Sequence, residues 1–200
     1  MILFTPPKNY YEKLNKSQLT PLWEQIKISN PKTDFKTIFK NLHENPFTDN
    51  RQKQITYRLL FNITPTSQGI FKRTGVIQKC KICNKHMETE QHIFYFCPLL
   101  SKTKSTLKAL SKVPNYTNRE FYRNILLATT RKTREKDIRH YRLTIVQLYR
   151  DTCWEARVGA TYKQQTYTSD SLHQFFMSKV KKFIMNNIDI ELLERLDGIG

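Results

Sequence analysis

Cys80, Cys83, His92 and Cys97 are the residues of this chain whose types and spacing can do chemistry, and they form the pattern C-x2-C-x8-H-x4-C. A Cys-x-x-Cys turn directs two thiolates at one point. A His and a Cys five residues apart, on a short helix or turn, can be aimed at the same point. Four nitrogen and sulfur ligands make a closed tetrahedral site, the arrangement that holds structural Zn2+. Three thiolates and a neutral imidazole leave one net negative charge around the ion. Lys79, Lys81 and Lys85 flank the cysteines, offset that charge and favour the thiolate form. Reduced cysteines also pack in cores without a metal, but the clustering of all four ligands favours zinc. His86 is a rival for His92, yet its choice would leave His92 without a role. A redox reading of Cys80 and Cys83 needs a thioredoxin-like βαβ setting, which the surrounding pattern lacks. A Cys153–His140 nucleophile pair is weaker still, because Cys153 sits inside an expected helix beside Trp154, where a buried thiol is the default.

The elements that must position these ligands read as helices. Thr20-Pro21 opens a short helix that Pro31 stops. Asp34 caps a second, with Phe35, Ile38, Phe39 and Leu42 at helical spacing, ended by Asn45-Pro46. A third spans 49–62, with Ile55 and Leu59 on one face. After the Cys/His segment, helices are expected over 98–113, 118–129, 133–160 and 171–187. The long one carries the apolar stripe Ile138, Tyr141, Ile145, Leu148 and Tyr149, and the last buries Leu172, Phe175, Phe176, Val180 and Phe183. No run of three strands appears. The fold class is mainly α, a helical domain with a small embedded Cys3His zinc-knuckle element. The expected division is an N-terminal segment over 1–33, a zinc-binding domain over 34–112, a basic helical extension over 113–190 and a tail over 191–200.

Charge points to the partner. The 200 residues carry 34 Lys and Arg against 17 Asp and Glu, a formal net charge of +17 with a pI near 9.8, which favours polyanions, RNA and DNA first. Between Ser101 and Arg150, 13 basic residues face three acidic ones, a net of +10. Candidate nucleic-acid contacts are Arg58, Lys72, Arg73, Lys102, Lys104, Arg131, Lys132, Arg134, Arg139 and Arg142, which would read backbone rather than sequence. Tyr57, Tyr95, Tyr122 and Tyr141 are candidates to stack on unpaired bases, with ordinary core packing favoured for Tyr141. A solvated helix face, with Glu135 and Arg139 paired at i, i+4, explains part of the basic run as well.

Other classes are excluded. An aromatic content of 12% argues against a disordered chain. No window holds the roughly 18 apolar residues a membrane span needs, and Met1 to Thr5 lacks the charged start of a signal peptide. Four cysteines, three of them clustered beside a histidine, fit a reducing compartment, nuclear or cytoplasmic, better than a disulfide scaffold.

Glu88-Thr-Glu-Gln-His92-Ile-Phe-Tyr-Phe-Cys97-Pro98 resembles the E-x-x-x-H-[LI]-F-x-x-C-P core of the reverse transcriptase zinc-binding domain of non-LTR (LINE-type) retrotransposon proteins. The stretch from Tyr57-Arg58 to Pro65-Thr66 is similar to that family's W-R-x-x-x-x-x-L-P-T segment, with Tyr57 in the place of Trp and Thr64 in the place of Leu. Phe71 to Gly75 resembles the basic turn before the first Cys, and Trp154-Glu-Ala-Arg157 a W-x-x-R helix end of related elements. The resemblance is strong over 36–107.

The resemblance implies Zn2+ at the four ligands, template RNA or target DNA as partner, and a reverse transcriptase polypeptide nearby. It implies a non-catalytic piece of a retroelement protein, because the polymerase needs an Asp-Asp pair for two Mg2+ ions and the sequence contains none. Clustered carboxylates of a ribonuclease H or endonuclease are not evident either. The expected function is a zinc-stabilised nucleic-acid-binding module. The alternatives are a zinc-stapled protein-interaction domain and a decayed retroelement remnant.

Overall fold

Asp34 opens the first described helix because its carboxylate accepts the Thr37 N–H at 3.0 Å, satisfying a backbone donor that the first turn leaves free. In the computed structural model, the described residues are 34–61, 78–111, 125, 135–189, 191, 192 and 194. Helix α1 spans Phe35–Glu44 and stops where Asn45 precedes a proline. Helix α2, Asn50–Leu60, begins with a reciprocal capping box between Asp49 and Gln52. A five-residue π turn, His92–Phe96, and a 3-10 turn, Pro98–Leu100, lead into α3, Ser101–Leu110. Helix α4 is Lys136–Tyr162 and α5 is Ser169–Asn187, the latter opened by a Thr168–Ser171 capping box. The expected helices lie within a few residues of these bounds. Those near 20–31 and 118–129 fall outside the described residues, apart from Ile125, which is helical and buried.

Helix α4 is the axis of the fold. It packs against α2, α3, α5 and the π turn, so neighbours surround it on most sides. The expected stripe is buried, but so are polar residues outside it, among them Arg142, Gln147, Arg150 and Arg157. A helix buried around its circumference has to satisfy its polar groups internally. Gln147 Oε1 accepts from the Thr56 hydroxyl at 2.9 Å, and Asn45 donates to Thr144 at 3.1 Å, tying the α1–α2 turn to α4. The Tyr149 hydroxyl donates to the Phe94 carbonyl at 3.1 Å, fixing α4 to the π turn.

One hydrophobic cluster runs from Ile55 and Leu59 through Ile93, Phe94, Leu100 and Leu107 to Tyr149, Phe176 and Val180, so helices on both sides of residue 112 share it. Each large apolar side chain buried there contributes about 1.5–3 kcal/mol. Ile38 and Leu60 form a smaller satellite with Phe35, Phe39 and Phe61 against them. Among the described residues there is no strand, and the sole pairing of that kind is an isolated antiparallel bridge between Lys79 and Met87. The architecture is mainly α with a Cys3His element embedded in it. No described helix is long and apolar enough to cross a membrane.

Candidate metal centre

The first two ligands sit in a tight loop closed by the Lys79–Met87 bridge. The Cys80 N–H donates to the His86 carbonyl at 2.7 Å, and the Asn84 N–H to the Cys80 carbonyl at 2.8 Å. The turn requires a left-handed residue, and Asn84 supplies it at φ 55°, a region Asn tolerates better than most side chains. The result folds Cys83 back over Cys80.

The second pair depends on the π turn. On an ideal α-helix, residues five apart point about 140° away from each other. Here the Cys97 N–H donates to the His92 carbonyl at 2.8 Å, an i+5 to i bond that widens the turn and brings the two side chains to one side. Pro98 completes the geometry. A residue before proline is disfavoured in the α region, and Cys97 accordingly leaves the helix at φ −60°, ψ 123°. The Thr89 hydroxyl accepts the His92 N–H at 2.9 Å and anchors the start of the segment.

These local structures bring one ligand atom from each of Cys80, Cys83, His92 and Cys97 within 4.8 Å of the others. Cys83 Sγ and His92 Nε2 are 3.3 Å apart. Zn–S bonds near 2.3 Å and Zn–N bonds near 2.0–2.1 Å place tetrahedral neighbours about 3.6–3.8 Å apart. The set brackets that spacing, so the residues fit a tetrahedral zinc ion with small side-chain adjustments. Cys80 and Cys97 are fully buried and His92 nearly so, which matches a closed structural site. The Cys97 thiol hydrogen-bonds to Cys80 and holds the Cys80 thiol well below its ordinary range, while that bond and then burial push Cys97 up. Zinc binds the thiolate forms, so an ion bound there would displace the remaining thiol protons. His86 is exposed and outside the set, its ring 5.5 Å from that of His92. Cys153 is fully buried and its thiol is pushed up to about 12 by burial, so it is an inert core residue.

Glu88 connects the loop to α4. It is fully buried, and its Oε1 accepts from Arg157 Nε at 3.1 Å and Nη2 at 2.9 Å. Its Oε2 accepts the Lys81 N–H at 3.4 Å, between the first two cysteines. The resemblance had brought up both Glu88 and Arg157, but their pairing across 69 residues was not legible in the spacing.

The expected nucleic-acid contacts divide. Arg58 is exposed on α2. Lys102 is exposed and paired with Asp170 at 2.5 Å. Lys104 is half-buried, donates to the Tyr95 carbonyl at 2.7 Å and lies 4.7 Å over the Tyr95 ring, with burial lowering its pKa. Arg139 is half-buried. Arg142 corrects the sequence reading: it is 6% exposed, because α4 is enclosed on the face that carries it, and it is not part of an outer basic surface. Arg150, counted in the basic stretch, is wholly buried as well. Lys72, Arg73, Arg131, Lys132 and Arg134 lie outside the described residues. Of the candidate stacking tyrosines, Tyr141 is buried as favoured, Tyr57 is half-buried and stacked on Phe39 at 5.8 Å, Tyr95 is half-buried, and Tyr122 lies outside the described residues. Phe96, missed in the sequence, is 58% exposed within the ligand-bearing turn.

Residues 18–103, which enclose all four ligands, match the family model described as zinc-binding in reverse transcriptase. The resemblance carried by the motif is thereby shown over that segment. The reverse transcriptase zinc-binding match begins upstream of α1 and ends inside α3, so α4 and α5, which cover the metal centre, lie beyond it. The family's description is one of metal binding, an accessory role rather than a catalytic one. No curated protein and no solved structure matches the chain.

Proposed function

We propose that this protein is a non-catalytic, zinc-stabilised nucleic-acid-binding module derived from the C-terminal region of a non-LTR retrotransposon reverse transcriptase. The observation that carries the reading is the convergence of four buried or half-buried ligands inside the segment that matches the zinc-binding family. Zinc would supply folding energy to a loop with little core of its own. Lys79, Lys81 and Lys85 are exposed on that loop, and the net charge of +17 supports a polyanionic partner, RNA or DNA, bound through its backbone. A reverse transcriptase polypeptide is the protein beside which such a module would act, in a reducing compartment.

The test has two stages. Native mass spectrometry measures zinc per chain, with one ion expected, and circular dichroism follows its removal by a chelator. The zinc-loaded protein is then titrated with RNA and DNA oligonucleotides across a salt series. A steep fall in affinity with salt is expected for backbone contacts. Affinity absent at low salt for both polymers would overturn the nucleic-acid reading and leave the zinc assignment standing.

A further inference from the structure

We propose that Phe96 is a stacking platform for an unpaired base of single-stranded nucleic acid, held in place by the metal centre. The inference rests on the nucleic-acid reading above and adds the residue and the strand state to it. Phe96 is a large apolar side chain 58% exposed, whereas Ile93 and Phe94 of the same π turn are fully buried and Tyr95 is half-buried. It lies between two metal ligands, His92 and Cys97, so its backbone is fixed from both sides. Its ring meets that of Tyr95 edge to face, with centroids 4.9 Å apart and planes at 88°. Tyr95 is immobilised in turn by Lys104, which reaches its carbonyl and its ring. A rigid aromatic ring loses little freedom when a ligand arrives.

Charge identifies the occupant. Lys79, Lys81 and Lys85 are exposed on the cysteine loop, whose two thiols converge with His92 and Cys97, and Lys104 lies over the neighbouring Tyr95 ring. Of the two carboxylates in the stretch that carries Phe96, Glu88 is fully buried against Arg157 and Glu90 is half-buried. A ring beside a lysine-bearing metal loop suits a ligand with a π face and a phosphate, which is a nucleotide. The bases of a duplex keep their faces stacked inside, so a side chain on a short turn reaches a base face only in an unpaired strand.

The experiment uses the zinc-loaded full chain with fluorescein-labelled oligo-dT and oligo-rU of about 12 nucleotides, the length of one small binding module's site, and a duplex of the same length. Phe96→Ala is expected to weaken single-strand binding by about 5- to 100-fold while leaving duplex binding within about twofold. Phe96→Trp is expected to retain affinity, with its indole fluorescence quenched on addition of strand. Zinc content and far-UV dichroism confirm that both variants fold. Unchanged single-strand affinity in Phe96→Ala, or an equal loss on duplex, overturns the platform. If the unmodified protein binds neither strand state, the nucleic-acid reading itself fails, which is a distinct result.

Discussion

Arg157, near the end of α4, grips the carboxylate of Glu88 with two N–H groups at 3.1 and 2.9 Å, and the other oxygen of that carboxylate reaches the backbone between Cys80 and Cys83. The metal loop is thus positioned by a residue beyond the matched family segment, through an ion pair that is 7% and 0% exposed at its two side chains. Removing one partner of such a pair leaves a buried charge uncompensated. Arg157→Ala is expected to lower stability by about 3–5 kcal/mol, and the Glu88→Ala, Arg157→Ala double variant by less than the sum of the singles. Urea unfolding of the zinc-loaded proteins measures both. Additive losses would mean that the two residues act separately.

Cys97→Ser removes a ligand whose position depends on the π turn and on Pro98. The expected result is loss of bound zinc in native mass spectrometry together with local loss of helical signal. A variant that keeps one zinc and full helicity would falsify the ligand assignment.

Arg150 is the largest fully buried side chain among the described residues. Its Nη1 donates to Thr56 at 2.7 Å and Gln147 at 3.3 Å, while Nε and Nη2 have no hydrogen-bond partner among the described residues. Burial lowers its pKa to about 9, a measure of how poorly the cation is solvated there. Replacing a buried charge by an apolar side chain of similar volume is commonly neutral or stabilising, by up to about 4 kcal/mol. Arg150→Met is therefore expected to hold or raise the urea midpoint. A large drop would show that the guanidinium's two hydrogen bonds outweigh its desolvation.

Arg51 and Lys179 bracket Asp151 and Glu155 where α2, α4 and α5 meet, with Arg51–Asp151 at 3.3 Å and Lys179–Glu155 at 2.6 Å. Burial raises the Glu155 pKa, but the hydrogen bond and charge of Lys179, then Arg51, outweigh it and hold it below 4.5. A depressed carboxylate stabilises the fold above its unfolded pKa, and that contribution disappears as pH falls through the folded value. In metal-free protein, the advantage of wild type over Glu155→Gln is expected to be present at pH 7 and to shrink below about pH 4.5. Urea midpoints at several pH values read it, and a difference independent of pH would remove Glu155 from the linkage.

Much of this was legible because local chemistry decided it. Asp34, Asp49 and Pro46 mark helix ends by their own side chains, and the four ligands announce themselves by type and spacing. What was hidden depends on contacts remote in sequence. Arg142 reads as one more cation on a basic stretch, and only the enclosure of α4 takes it inside. Glu88 and Arg157 lie 69 residues apart, so no periodicity joins them. The π turn escapes a 3.6-residue pattern because it is a departure from that pattern. Phe96 escapes too, since apolar residues in a run such as Ile93 to Phe96 are expected inside, and the widened turn puts that one ring outside.

The enclosure of α4 also sets an order of events during synthesis. The ribosome completes α1, α2, the cysteine loop and α3 before it makes the helix against which most of them pack. Arg157 emerges 69 residues after Glu88, an interval of several seconds at about 5–20 residues per second. Between Cys97 and Lys136, the first residue of α4, the nascent segment has its four ligands and none of α4's cover. An ion captured then would fold the loop ahead of the core, and α4 would close over a template already formed.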